Sequence, residues 1–545
     1  MKNKIYLISL LALFSCASYD KQNTHFNTLL EPEDLKKDIT YVQKQLIKIH
    51  PDLHWYISKE ALDAKFDSLI RSTNKALTPN EFYFKISPVV ASVRQGHMQM
   101  IPLNILPADS LKKKYKKSKH PLHGFEYVYL QDKLYIVKNT SKKDSVIQIG
   151  TEVLTINDIT PQSLYKKYRK TFTSDGYNVT GIPKFFARKV NSFYANELGL
   201  LDEAHLQLKC ADSTFSYTAK RVFKQLRKKI NEDLTRKSDT LRVKNDSLLK
   251  NNFLTVNEKF NRKKDREVEK LLNKKKSWFG YDEKSKTFSK EIIYPILNDR
   301  TVAILKIRDF SEGKEKVYDT IFTEFKENKV KNLIIDLRGN PGGRLSEIHR
   351  LSRYLNDSSY VFIQPATITK RTTFFNIFKG KSVATKILGA PFLGVYAIVR
   401  GVSVKRTNNG LLNLPLLSSK ATKPHNLAYN GRIYVITDGM TFSAAAIISS
   451  HLKGRNRATF VGNETGGTFN GTVAGIMPVL KLPKSKLKLR VGLMTIKPNE
   501  QVNEEGYGVK PDIFIEPTID EVVYMKDPEL EWILNDIEEI KKEFY

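Results

Sequence analysis

With 545 residues, 41% hydrophobic and 10% aromatic, the chain is too long for one core and too apolar for a disordered polymer, so two to four domains are expected. Its 90 lysines and arginines against 58 aspartates and glutamates give a formal charge of +32, which favours nucleic acid, anionic membrane surfaces or acidic substrates as partners. Only two cysteines are present, and no Cys/His spacing of a zinc cluster occurs, so neither a disulfide framework, a metal nor a cofactor is expected.

The chain opens MKNKIYLISLLALFSCASYD. A basic start, an apolar run from Ile5 to Phe14 and then Ser15-Cys16 read as a secretory signal, too short to span a bilayer as a mature helix. Export argues against nucleic acid. The ending LFSC resembles a bacterial lipobox, which implies a signal peptide over 1–15, lipidation of Cys16 and a tether over 16–32. Ala17 is not the aspartate that marks inner-membrane retention in some bacteria. The expected location is the cell envelope, anchored in the outer membrane and facing the periplasm. Cys210, in the strand-like QLKCADS, is then left alone as a packed residue.

Residues 33–112 show apolar residues at three- and four-residue spacing and read as a helical domain. Thr78-Pro79 starts its third helix, and RQGHMQM closes it as a glycine-histidine turn entering a short strand. Over 113–180, YVYLQDKLYIVKNT reads as two strands around a turn, and QIGTEVLTIND as a strand and a tight turn. IGTEVLTINDITPQSL resembles part of a PDZ domain, a module that binds peptide ends by strand addition. Residues 181–290 read as a connecting region whose basic part, 222–290, is a solvated insertion or a surface for anionic lipid or lipopolysaccharide. From 291 to 525 strands alternate with helices, the pattern of an α/β core. Within it, ATKILGAPFLGVYAIVRG (384–401) is apolar but broken by glycine and proline, which suits a cap, a core segment or a membrane-dipping element. Residues 526–545 read as a final helix.

The chemistry centres on RIYVITDGMTFSAAA. A buried strand ends in an Asp438-Gly439 turn and passes into a helix capped by Thr441, placing Ser443 in the first helical turn, where free N–H groups and the dipole favour negative charge. A serine that merely opens a helix accounts for this stretch as well. LIIDLRGNPGGRL adds Gly342 and Gly343, whose backbone N–H groups, with that of Ala444, suit an oxyanion hole.

LIIDLRGNPGG, ITDGMTFSAAAIISSHLKG, VGNETGG and GYGVKPDI, in this order, resemble the C-terminal processing (tail-specific) serine peptidases. The resemblance implies a ClpP/crotonase-like α/β core with an N-terminal helical domain and a PDZ-like β-module, and it makes Ser443 the nucleophile. One branch of that family activates serine with a lysine in T-x-G-K-G; here Thr468 stands at the lysine position. The other, tricorn-like branch uses a histidine from the N-terminal region, and RQGHMQM supplies His97. Imidazole is the usual base for a serine hydroxyl at working pH. His50 and His54 read as packing or surface residues and His451 as exposed. The resemblance also implies a glutamate before G-V-x-P-D that orients the base: Glu505, with Glu504 as the alternative. The branch's serine before the histidine is Gly96 here, which leaves the link to that glutamate open.

These features imply a serine endopeptidase acting on polypeptides, with recognition through their C-termini. The competing reading is an inactive peptidase fold that binds peptides or hydrophobic ligands. The Ser443–His97 separation discriminates the two, since a working pair must come within hydrogen-bond reach.

Overall fold

The computed structural model describes residues 26–103, 115, 118–140, 146–199, 201–223, 256–378, 394–408 and 410–543. Cys16 and the signal and tether readings up to residue 25 lie outside them, as do residues 224–255 of the basic segment and 384–393 of the apolar one.

Three amphipathic helices come first: α1 (Pro32–Ile49), α2 (Lys59–Ser72) and α3 (Pro79–Ala91). A capping box between Thr78 and Glu81, with proline at the first helical position, starts α3. The short strand β1 (Gln99–Ile101) follows the His97 turn. The next unit is a five-stranded antiparallel sheet built from β2 (Phe125–Leu130), β3 (Lys133–Asn139), β4 (Glu152–Ile156), and, after helices α4 (Pro161–Tyr168) and α5 (Gly181–Leu198), β5 (Glu203–Cys210) and β6 (Ser213–Lys220). Gln131-Asp132 and Asn157-Asp158 all take positive φ, the left-handed backbone of tight turns that Asn and Asp tolerate.

This β-module therefore runs to residue 220, not 180. Val190, Tyr194, Leu206 and Leu208 share one core with Leu134, Ile136 and Val153. The expected boundary at 180 falls just before α5, where the Asn178 side chain donates to Thr465 O of the α/β core. Cys210 is a free, partly exposed thiol at the end of β5. The basic segment contributes helix α6 (Val256–Phe279), whose described residues 267–275 are exposed and whose Trp278 and Phe279 pack on the α/β core.

The core proceeds β7 (Lys290–Ile293), β8 (Val302–Ile307), α7 (Val317–Glu327), β9 (Asn332–Asp336), α8 (Leu345–Leu355), β10 (Ala366–Ile368), β11 (Leu412–Leu414), β12 (Arg432–Thr437), α9 (Ala444–Gly454), β13 (Thr459–Gly462), β14 (Thr472–Ala474), β15 (Val479–Lys481), β16 (Lys488–Arg490), β17 (Met494–Ile496), β18 (Ile513–Phe514) and α10 (Pro528–Glu543). A six-stranded sheet takes the order β7-β8-β9-β12-β13-β18, parallel except for β7. Its strands are continuous apolar runs because helices cover both faces: α7, α8 and α9 on one side, α10 with Ile533 and Ile537 on the other. Residues 394–402 are helical, with Val395, Ile398 and Val399 exposed and Ala397 buried.

The N-terminal helices do not close their own core. Leu480, Leu482, Leu487, Leu489, Val491 and Leu493, from the C-terminal hairpin β15–β16, fill it together with α1 and α3. β1 pairs antiparallel with β16, Gln99 opposite Arg490 and Met100 opposite Leu489. The buried Asp38 carboxylate accepts from the Lys484 and Ser485 backbone N–H groups at 2.9 and 2.7 Å, and from the Ser485 hydroxyl.

Candidate active site

β12 ends at Thr437, and the turn that follows is tied down at every step. Asp438 Oδ1 accepts from Gly339 N and Met440 N at 2.9 Å each, and its Oδ2 pairs with Lys184 of α5 at 3.0 Å. Thr441 Oγ1 accepts from Asp438 N and donates to Leu337 O. Thr441 thus staples the turn and does not cap the helix. The helix begins at Ala444, and Ser443 itself occupies the N-cap with φ 56° and ψ −122°, its side chain making no capping bond. A non-glycine residue in this conformation costs about 1–3 kcal/mol. The strain turns the hydroxyl away from the helix, as in the strained strand-to-helix elbow of α/β hydrolases. Space comes from glycines: a Cβ on Gly342 would lie 2.7 Å from both Ser443 Cβ and Ala444 N, and one on Gly467 would lie 3.2 Å from Ser443 N.

Ser443 Oγ lies 2.9 Å from His97 Nε2. The imidazole is buried and stacks on Phe442, ring centroids 5.0 Å apart. Its backbone carbonyl accepts from Arg490 Nε at 3.1 Å. Burial, and then the Arg490 charge, lower the His97 pKa from 6.5 to about 4, so the ring is neutral at neutral pH and Nε2 is free to accept a proton. Nδ1 lies 3.1 Å from Thr472 Oγ1 on β14. Beside Thr472 is the buried carboxyl of Asp175, whose Oδ1 accepts from Gly96 N at 2.7 Å.

Glu505 is not brought to His97. It is exposed, and its Oε2 accepts from Trp55 Nε1 at 3.1 Å; Glu504 pairs with Lys510. The motif that placed these glutamates runs along the surface edge of the loop, and the His97 ring faces β14 instead. Gly96 also has a steric reason. A Cβ there would lie 2.5 Å from Phe442 Cζ and 3.2 Å from Asp175 Oδ1, so a serine at this position would push apart the ring stack that holds His97.

The oxyanion donors divide. Gly342 N already donates to Asn340 Oδ1 at 2.8 Å, and Gly342 O accepts from Phe310 N. The N–H groups of Gly343 and Ala444 donate to no other group among the described residues. The expected donation from Gly342 is thus corrected, because the Asn340 amide oxygen takes its N–H and holds the loop. His451 is also corrected. It is fully buried in α9, with Nδ1 2.8 Å from Glu500 and Nε2 beside Asn356. All nine residues from Ala444 to Leu452 are buried, a continuous small and apolar run that signals a helix covered on every side. Thr468 is buried beside Tyr56. Among the described residues no three His, Cys, Asp or Glu side chains group in a way that would hold a metal ion.

A cavity of about 590 Å³ opens on Ser443 and His97. Its walls come from all three units: Met100 and Ile101 of β1, Ile182 and Phe185 of α5, and Gly342, Gly343 and Met440 of the α/β core. Sequence reasoning missed Thr472 and Asp175. Asp175 sits in a Ser-Asp-Gly stretch that carries only a turn signal, and Thr472 in a short strand with no motif around it.

Residues 301–515 match the model of peptidase family S41. No curated protein matches the chain. Among solved structures, mature CPAF is 14% identical with a TM-score of 0.55, covering 90% of this chain and 94% of that one. Mature CPAF complexed with lactacystin gives 14% and 0.56, over 90% and 95%. A putative S41 protease from Bacteroides fragilis is 14% identical over 89% and 91%, with a TM-score of 0.37. At this identity the likeness to CPAF is one of fold. The S41 match lies over the α/β core, residues 301–515, and there the chain resembles that family of peptidases.

Proposed function

We propose that Ser443 and His97 are the nucleophile and the general base of a cell-envelope endopeptidase. The observation that carries this reading is the 2.9 Å contact between Ser443 Oγ and His97 Nε2, which favours turnover over an inactive binding fold. His97 Nε2 takes the hydroxyl proton as Oγ attacks the peptide carbonyl. The oxyanion forms against the Gly343 and Ala444 N–H groups, where fixed donors are worth most. Collapse breaks the C–N bond, and the leaving amine takes the proton from Nε2. Water then repeats the sequence on the acyl-enzyme and frees Ser443. The β-module, whose helix α5 lines the cavity, presents the polypeptide, with its C-terminus as the recognised end.

A fluorophosphonate probe tests the pair directly. Wild type is expected to label and to hydrolyse a peptide library, and Ser443→Ala and His97→Ala to do neither; a folded wild type that neither labels nor cleaves overturns the reading. We further propose a lipid anchor at Cys16, an outer-membrane location facing the periplasm, and contact of the basic 222–290 segment with anionic lipid. Cys16→Ser should move the protein from the membrane to the soluble fraction, and deletion of 224–255 should weaken salt-sensitive binding to anionic vesicles. Unchanged partition in either case removes the corresponding part.

A further inference from the structure

Resting on the Ser443–His97 reading, we propose that Asp175, acting through the Thr472 hydroxyl, is the acid that positions His97, in the place the family pattern gives to Glu505. Three observations carry this. Thr472 Oγ1 lies 3.1 Å from His97 Nδ1. The same hydroxyl stands beside the Asp175 carboxyl, whose Oδ2 is buried with no hydrogen-bond partner among the described residues. Asp175 Oδ1 holds the N–H of Gly96, the residue before His97, at 2.7 Å. The carboxyl therefore restrains the backbone leading into His97, and the hydroxyl beside it meets the ring.

The polarity runs one way. Turned toward the unpartnered Asp175 Oδ2, the Thr472 O–H would leave Oγ1 to accept Nδ1–H, and Nε2 would then be the acceptor that faces Ser443. This is the tautomer the reaction needs. When the ring becomes imidazolium, the same chain leads its charge to a carboxylate.

The setting is costly unless it serves this end. Asp175 is buried and its Oδ2 has no hydrogen-bond partner among the described residues, a placement that destabilises a charged carboxylate. Its loop is wedged in place. Gly176 N donates to Arg94 O at 2.9 Å, and a Cβ on Gly176 would lie 2.3 Å from Gly506 O. The charged and titratable groups around the pair are the Tyr56 phenol near Asp175 and Arg490 behind His97. Burial raises the Asp175 pKa from 3.8 to about 7, while the Gly96 N–H and the Thr472 hydroxyl pull it down. The carboxyl thus changes charge in the neutral range.

The test is peptide turnover and fluorophosphonate labelling of full-length wild type, Asp175→Asn, Thr472→Val, Thr472→Ser and Glu505→Gln, each with a pH profile and a melting curve. Asp175→Asn and Thr472→Val should lower kcat by about 10²–10⁴-fold, as for loss of tautomer control in a serine triad, with KM within about threefold. Both should flatten the rise in kcat near pH 7 that wild type shows as Asp175 ionises. Thr472→Ser, which keeps the hydroxyl, should recover to within about tenfold of wild type, and Glu505→Gln should stay within about threefold. The proposal is overturned if Asp175→Asn keeps the wild-type rate and pH profile, or if Thr472→Ser is no better than Thr472→Val. If Asp175→Asn does not fold, the threonine pair decides. An inactive but folded wild type instead sinks the Ser443–His97 reading beneath it.

Discussion

Ser443 and His97 reach their contact by opposite routes. Ser443 is placed locally: a buried parallel strand, an Asp438 turn and a helix start position it within a few residues, and Gly342 and Gly467 make room for its strained backbone. His97 is placed from far away. Its strand β1 is held by β16, its carbonyl by Arg490, and the hairpin that carries them by Asp38 on α1. Ser443 therefore belongs to the α/β core, and His97 to a docking surface in which residues 32–103 and 480–493 share one core. Packing defects in the core should lower stability and leave the geometry of the folded molecule intact. Defects in the docking surface should reach the chemistry.

The largest effects remove either end of the contact. Ser443→Ala and His97→Ala should each lower kcat/KM by about 10⁴–10⁶-fold, and the double variant by little more, because residues acting as a unit are not additive. Independent, multiplying losses in the fluorogenic peptide assay would break the unit. Next comes Gly96→Ser, which forces Phe442 or the His97 turn to move by more than a few tenths of an ångström. It should cost about 10–100-fold in kcat, since misplacement near 1 Å costs about 10²; wild-type kcat would show that the stack yields freely.

The two routes separate most cleanly in a matched pair. Asp38→Ala leaves two N–H groups and a hydroxyl on the hairpin without their acceptor and should cost about 1–3 kcal/mol, with kcat of the folded protein down about tenfold through His97. Leu452→Ala, in the core of α9, should cost about 2–5 kcal/mol yet leave kcat within about threefold. Thermal melts read with kcat at a temperature where both are folded check this; equal kcat losses would erase the distinction.

The smallest effect is a pair of opposed pH slopes. The His97 pKa is depressed to about 4, so its contribution to stability is present above 6.5 and lost as pH falls through about 4. The Asp175 pKa is raised to about 7, so its contribution is present below 3.8 and lost as pH rises through about 7. In wild type the two offset each other across this window. Relative to wild type, His97→Ala should gain Tm as pH is lowered from 7 to 4.5, and Asp175→Asn should lose it. Parallel Tm curves for all three proteins would contradict the assignment.

Much of the architecture was legible because it is written in local patterns. The continuous apolar runs of β9 and β12 announced a covered parallel sheet, and the Asn157-Asp158 pair marked a tight turn of the β-module. Ser443, His97 and the Gly342-Gly343 turn were legible because each sits in a short motif with its own backbone geometry. The module's end at residue 220 was not, because β5 and β6, which complete its sheet, come only after the helix α5. His451 read as exposed although α9 is buried from Ala444 to Leu452.

By itself, then, the sequence determined the α/β core, the helical and β-sheet units around it, and the two residues that meet at the cavity. Only the tertiary structure decided what stands behind His97. Thr472 and Asp175 lie 375 residues after and 78 residues after it in the chain, by subtraction of their numbers, and no periodicity or motif links them. Hydrogen bonding is fixed by distance and direction in space, so a threonine in a three-residue strand and an aspartate in a turn acquire their place only when the three units close on one another.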